Sequence, residues 1–208
     1  FNLIKNIFGS DLLTFYLFDE IDGTTAVDSI NNINANYSNV NLNQPGFGHG
    51  SKSVLLNSSA SYIDYYSSSM NAQFPKSSGT IIFWLKTPVD LWEESTAYYL
   101  FKMYISDNYR IQIQKLVNKN YLYVLLKTGV TMSGGPYHYL HTNKWMCVAI
   151  RWDITTQTFD IFINGRKLLD TTTTALPFIG NLHTQFCTIG NDGKTGSSSF
   201  KGNVSSFA

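Results

Sequence analysis

Residues able to do acid–base chemistry are few in this chain, and their spacing does not suit it. Only three glutamates occur. Two of them, Glu93 and Glu94, are neighbours, which on a strand point to opposite faces. Glycoside hydrolysis with retention needs two carboxyl groups about 5.5 Å apart, and no strand-like stretch carries acidic residues at positions i and i+2. His138 and His141 are spaced H-x-x-H, but without a helix that spacing does not turn both imidazoles to one side, so a zinc site is not expected. No nucleophile elbow or Cys-His arrangement is found. Cys147 and Cys187, the two cysteines, make no disulfide framework and are read as free, buried thiols. The chain is not expected to be an enzyme.

Oxygen donors and aromatic rings remain. Asp28 lies in the loop EIDGTTAVDSINN, residues 20–32, after a glycine turn at Gly23. Two readings of it stand side by side. Its carboxylate bonds loop amides as an Asx turn, or it ligates calcium together with Asp22 or with the Asn31 and Asn32 pair, calcium being a hard cation that takes several loop oxygens. Among the rings, Trp92, Tyr98 and Tyr99 fall in or beside the loop after the 79–87 stretch, and Tyr137, His138 and Tyr139 fall in the loop after Gly134-Gly135. A pyranose offers a C–H face and hydroxyl edges, which aromatic platforms and flexible polar groups can hold. Alternating aromatics are equally what an ordinary β-sandwich core contains.

Strands must position these side chains. In KWMCVAIRWDITTQTFDIFINGRKLLD, residues 144–170, Met146, Val148, Ile150 and Trp152 alternate with Cys147, Ala149 and Arg151, the period of a strand with one buried face. After a polar turn, Phe159, Ile161 and Ile163 alternate again, and Asn164-Gly165 is a strong hairpin signal because both residues tolerate positive φ. Residues 79–87, GTIIFWLKT, form a central strand with Ile81, Phe83 and Leu85 on one face and Ile82, Trp84 and Lys86 on the other. Trp84 and Trp145 are expected to be buried. Further strands are predicted over 12–19, 35–42, 53–57, 62–66, 97–105, 109–116, 121–127, 185–189 and 200–207. Helical periodicity is confined to a single turn within 90–96. Aromatic residues at 15% against charged residues at 14% suit such a chain and argue against a helical protein.

With 208 residues the chain fits one all-β domain over 12–208, preceded by a lead-in arm or linker remnant at 1–11. The net charge of +1, without a basic run, gives nucleic acid no electrostatic footprint. No apolar stretch approaches the roughly 20 residues of a membrane span. The start at Phe1, without an initiator Met or signal peptide, is read as a piece of something longer. Sequons headed by Asn36, Asn57 and Asn203 matter only in a eukaryotic secretory route.

The order of these pieces resembles the concanavalin A-like lectin/glucanase superfamily, and more narrowly its laminin-G-like jelly rolls. The resemblance is carried by Trp145, Val148, Ile150, Asp153, Phe159, Ile161, Ile163, Asn164 and Gly165, by Gly46-Phe47-Gly48 before a small-hydrophobic strand, and by Phe200-Lys201-Gly202-Asn203-Val204 near the end. It implies a two-sheet antiparallel β-sandwich with the 144–170 hairpin near its centre. Many relatives carry an acidic pair where this chain has Ser205 and Ser206, which weakens any metal site built on C-terminal carboxylates. It further implies a non-catalytic carbohydrate-recognition or adhesion module of a larger surface or secreted protein, with a glycan or surface polysaccharide as partner. The alternative is a structural module of an extracellular assembly, such as a virion or phage appendage, with sister subunits as partners. Calcium is the one candidate cofactor, and the location is extracellular, at a cell surface or on a virion.

Overall fold

The structure, a computed structural model, describes residues 11–87, 96–117, 122–129, 131–138, 143–172, 177–194 and 198–208, with the backbone alone at 131–138 and 169–172. Two antiparallel sheets form a sandwich. The first has eight strands in the order β1 (Thr25–Ala26), β2 (Ala35–Ser38), β5 (Tyr62–Asp64), β14 (Thr188–Ile189), β7 (Tyr98–Ser106), β8 (Tyr109–Lys115), β9 (Leu122–Thr128) and β10 (Thr131–His138). The second has seven, in the order β13 (Arg166–Thr172), β12 (Thr158–Ile163), β11 (Met146–Asp153), β6 (Ser78–Lys86), β15 (Gly202–Phe207), β4 (Lys52–Leu56) and β3 (Val40–Pro45). The expected all-β jelly roll is the observed one. A short helix, α1 (Ser68–Gln73), starts where the Ser67 hydroxyl accepts the Met70 amide, as an N-cap serine does.

The 146–172 segment folds as its alternation dictates. β11 pairs with β12 from Val148↔Ile163 to Asp153↔Thr158, and Asn164 and Gly165 turn the chain with φ of 50° and 78°. On its other side β11 pairs with β6 from Met146↔Leu85 to Asp153↔Ser78. The centre of this sheet is therefore β6, and the hairpin forms one flank of it, contrary to the expected central place. Val148, Ile150 and Trp152 share the inward face with Ile81 and Phe83, and all five are buried. Trp84 and Trp145 are a correction, since both are only half-buried on the outward side. Period two sends Trp84 outward when Phe83 and Leu85 point in. Cys147 likewise faces outward and is half-exposed, whereas Cys187 is buried; both thiols are free.

Four other stretches depart from expectation. Residues 12–19 make isolated bridges through Tyr16, to Phe207 and to Asp28, instead of a strand. Phe18 sits at φ 55°, outside the extended region, and the Phe15 amide is taken by the Asp28 side chain. The 35–42 strand is two strands in different sheets, broken at Asn39 with φ 48°, a left-handed conformation that asparagine tolerates. Tyr137 and His138, expected in a loop, belong to β10 at the edge of its sheet, which has a register shift between Gly135 and His138. Pro136 cannot donate to a ladder and is admitted at such an edge or bulge. The 185–189 strand shortens to Thr188–Ile189.

Aromatic rings knit the two inner faces together. Phe101 and Tyr65 from one sheet and Phe83 and Phe207 from the other stack with centroids 5.6 to 6.3 Å apart. A second group joins Trp152, Phe74 and Phe178 at about 6 Å, a separation at which rings add to simple area burial. Gly79 lies beneath the Trp152 indole, where an added Cβ would stand 2.5 Å from the ring. Asn203, which heads the third sequon, is buried with its amide donating to Ser53 Oγ, so it is closed to glycosylation in the folded chain.

These assignments give a direct stability test. Trp152→Ala is expected to cost about 3 to 5 kcal/mol, from lost transfer energy and the cavity left behind, while Trp84→Ala costs clearly less. Equal shifts in denaturant midpoint would contradict the assignment of faces.

On the outward side of the seven-stranded sheet the Asp160 side chain is wholly buried between Arg151 and Lys167, with Lys167 Nζ 2.9 Å from Oδ1. Burial alone raises its pKa, but the hydrogen bonds and charges of Lys167 and Arg151 outweigh that and hold the carboxyl below its ordinary value. A folded pKa lower than the unfolded one stabilises the protein above the unfolded value and loses that contribution as pH falls below about 4. Asp160→Asn should therefore be less stable than the parent at pH 7, and urea midpoints of the two should converge as pH drops from about 4 toward the folded pKa. A gap that stays constant with pH would show that the carboxylate charge is irrelevant.

Candidate functional site

The outward face of the eight-stranded sheet carries polar side chains where an exposed sheet would be expected to carry simple solvated ones. Cross-strand register sets three rows there. One runs Asp64, Thr188, Lys102, Gln112, Leu125 from β5 to β9. A second runs Tyr99, Gln114, Tyr123, and a third Tyr104, Arg110, Lys127. Strict alternation from Lys102 would put Tyr99 on the inner side; a register shift between Tyr99 and Phe101 returns it to the outer face, the usual work of a bulge. Lys102, Gln112 and Gln114 are only 7 to 8% exposed although they face outward, while Tyr99, Tyr104, Tyr123 and Lys127 around them are half-exposed. The face is thus a recess with a polar floor and an aromatic rim.

One wall of this recess is the loop carrying His183 to Lys194. His183 N donates to the Tyr104 carbonyl and Gly190 N to the Leu100 carbonyl, and Gly190 takes φ 92° with its Cα against Leu56, a position that a side chain would not fit. Asn191 Nδ2 donates to the Ser59 carbonyl and the Thr188 hydroxyl to the Asn191 carbonyl. So placed, the loop offers Asp192 to Lys102, whose Nζ donates to Asp192 Oδ1 at 2.5 Å. The same ammonium lies 4.5 Å from the Phe186 ring centre, 5.1 Å from Tyr104 and 5.6 Å from Tyr99, within the range of cation–π attraction.

Two further ion pairs lie in the recess. Lys194 Nζ meets Asp64 Oδ2 at 2.6 Å. Arg110 Nη1 meets Asp107 Oδ1 at 3.2 Å, and the Tyr104 hydroxyl donates to that oxygen at 2.8 Å. Gln112 Nε2 donates to Gln114 Oε1 at 2.7 Å. Burial, and then the Asp192 charge, push the Tyr99 phenol above its ordinary pKa against the pull of Arg110; burial and the bond to Asp107 do the same for Tyr104. Both phenols stay protonated at neutral pH and remain donors. The recess therefore combines half-exposed rings, neutral donors and acceptors, and a compensated ion pair.

Of the residues singled out by sequence, Tyr99 is in the recess. Tyr98 is not: it is buried on the inner side, its ring 5.6 Å from both Lys115 Nζ and Lys201 Nζ, and both tyrosines lie on β7 instead of on a rim loop. Tyr137 and His138 belong to β10, three strands from β7 in the same sheet. Trp92 and Tyr139 lie outside the described residues, as do Glu93, Glu94 and His141. Sequence reasoning missed Lys102, Gln112, Gln114, Phe186 and Asp192. Their signal was a lysine inside LFKMYI and glutamines alternating with isoleucine in RIQIQK.

Two other features compete for attention. Phe47 stacks on Trp84 at 3.6 Å and meets Trp145 edge-on, with Lys86 Nζ 5.2 Å above Trp145. There Phe47 covers one face of the Trp84 indole and is itself 44% exposed. A cavity of about 890 Å³ opens over β6 and the end of β15, walled by Phe15, Phe74, Ile82, Trp152 and Phe207. Its walls are mostly apolar, with Thr80, Arg151, Asp153 and Thr158 among the polar groups that line it.

Asp28 is buried and accepts four backbone amides, those of Phe15 and Ile30 on Oδ1 and those of Asn31 and Ile33 on Oδ2. Asn31 Nδ2 donates to the Leu13 carbonyl, and Asp22 is exposed. Each Asp28 oxygen uses both lone pairs on amides, the loop-organising role. Among the described residues no three His, Cys, Asp or Glu side chains converge. Asp28→Asn is accordingly expected to lower the melting temperature by the same amount in calcium and in chelator; a loss seen only in calcium would restore the ligand reading.

Two stacked antiparallel sheets with one recessed polar face define a lectin-like jelly roll. The chain belongs to the concanavalin A-like lectin/glucanases superfamily, matching its laminin-G-type family model over residues 58–208. No curated protein matches the sequence. Among solved structures, domain 4 of AbnA, a GH43 extracellular arabinanase from Geobacillus stearothermophilus, in complex with arabinotriose, is similar with a TM-score of 0.62 and 17% identity over 93% of this chain and 89% of that one. The Ruminococcus gnavus IT-sialidase CBM40 bound to α2,3 sialyllactose gives 0.56 and 14% over 74% of this chain and 87% of that one. A Trypanosoma rangeli sialidase gives 0.63 and 11%, with 93% of this chain covering only 29% of that enzyme. At these identities the likeness is one of fold. No described helix is long and apolar enough to cross a membrane.

Proposed function

We propose that the domain recognises carbohydrate without turning it over, as one module of a larger surface or secreted protein, and that the contact face is the recess on β7, β8 and β9. The observation that carries this reading is the burial of Lys102, Gln112 and Gln114 on an outward sheet face, rimmed by half-exposed Tyr99, Tyr104 and Tyr123. A sandwich core gains nothing from polar groups placed there. A sugar does, since amides and phenols meet its hydroxyls and rings meet its C–H face. Two structures of similar fold carry sugars, arabinotriose in AbnA domain 4 and sialyllactose in the CBM40, which supports the choice of ligand class. The carboxylates of the recess, Asp64, Asp107 and Asp192, are each engaged by a basic side chain, whereas a general acid must hold a proton to give.

Binding at such a face is expected to be weak and to gain from repeated copies. Titration calorimetry with an oligosaccharide panel should show binding that Tyr99→Ala or Gln114→Ala weakens about tenfold, a loss of about 1.4 kcal/mol, at a temperature where each variant is folded. Trp84→Ala should leave affinity unchanged. Release of reducing sugar, or binding insensitive to both recess substitutions, would contradict the proposal.

A further inference from the structure

We infer that Asp192 is the specificity residue of the recess, selecting uncharged, hydroxyl-rich saccharides against sugar acids; this rests on the carbohydrate reading above. A protein that captures a carboxylate ordinarily presents a cation whose hydrogen-bonding positions are open to it, best of all a forked guanidinium. Three of the four basic side chains of this recess are engaged by carboxylates. Lys102, the one basic residue of the floor row, donates to Asp192 at 2.5 Å and is flanked by the Phe186, Tyr104 and Tyr99 rings. Lys194 is held by Asp64 and Arg110 by Asp107. Lys127 stands two strands from Lys102, at the end of the third row.

A ligand carboxylate reaching for Lys102 would have to settle beside Asp192, and like charges so placed oppose binding in a recognition site. Drawing Lys102 away from Asp192 is no easier, because both would be left less well solvated than in water. A neutral sugar meets neither obstacle. The Asp192 side chain is 37% exposed and only Oδ1 is committed to Lys102, so Oδ2 can accept a sugar O–H in a charge-assisted hydrogen bond. Tyr99, half-exposed beside it, offers a donor and a ring face. Sialic and uronic acids are thus disfavoured by the same carboxylate that favours their neutral counterparts, even though related folds accept sialyllactose.

The test is a glycan array of neutral glycans and their sialylated or uronylated counterparts, probed with the full chain and with Asp192→Asn, the preferred pair then being titrated in solution. The parent is expected to bind neutral members at least about tenfold more tightly than their acidic counterparts. Asp192→Asn, which keeps the shape and removes the charge, is expected to shrink that ratio about tenfold. A parent that prefers the acidic members, or a ratio unchanged in Asp192→Asn, overturns the inference and leaves carbohydrate recognition standing. No binding by either protein removes the carbohydrate reading and the inference with it. If Asp192→Asn fails to fold, the parent's preference decides alone, an acidic preference overturning the inference and a neutral one supporting it.

Discussion

The ion pair of Lys102 with Asp192 is the constraint on which the outer face of the eight-stranded sheet depends. An ammonium only 8% exposed is tolerable when a carboxylate and ring faces replace the water it has lost, and removing one partner of such a pair costs far more than the pair itself contributes. To meet Lys102, Asp192 must arrive from the segment after β14, and the whole loop is shaped to deliver it. Gly190 turns where no side chain would fit, Asn191 anchors to Ser59, and His183 ties the near end to Tyr104. The rings of Phe186 and Tyr104, which would otherwise be ordinary surface aromatics, become the sides of a small cage. Loop order, floor polarity and rim geometry follow from one buried charge.

The opposite sheet solves a similar problem without building a recess. Asp160 is buried on the outward face of the seven-stranded sheet, held by Arg151 across the strand pair and by Lys167. On the same face, four residues along β11 from Arg151, Phe47 stacks over Trp84 and covers one side of its indole. The two outer faces therefore differ in their aromatic and polar surface, although each holds a buried ion pair, and that difference is the ground for proposing recognition on β7, β8 and β9.

The inner faces were legible from sequence because their rule is simple. Alternation placed Val148, Ile150, Trp152, Phe159, Ile161 and Ile163 correctly, and Asn164-Gly165 marked the turn that joins two of the strands. Where reading failed, a rule of longer range had won. The phase of Trp84 is fixed by β6 as a whole, so its size gave no guide to its burial. Asn39 moves the chain from one sheet to the other by a single left-handed residue, which leaves no trace in hydrophobic pattern. The bulge that turns Tyr99 outward separated it from Tyr98, its equal in sequence. Asp192 lies 90 residues from Lys102, and no local pattern announces a partner at that distance. The lysine within LFKMYI was the visible half of the pair, since a charge inside an apolar strand requires something to satisfy it.

Amide chemical shifts of the isotope-labelled chain, followed while adding the neutral glycan that binds best on an array, measure the location of binding directly. The account predicts that the largest shifts fall on Tyr99, Lys102, Gln112, Gln114 and Asp192, with the indole signals of Trp84 and Trp145 unmoved. Shifts concentrated on Phe47, Trp84 and Trp145, with the β7 to β9 amides silent, would contradict it.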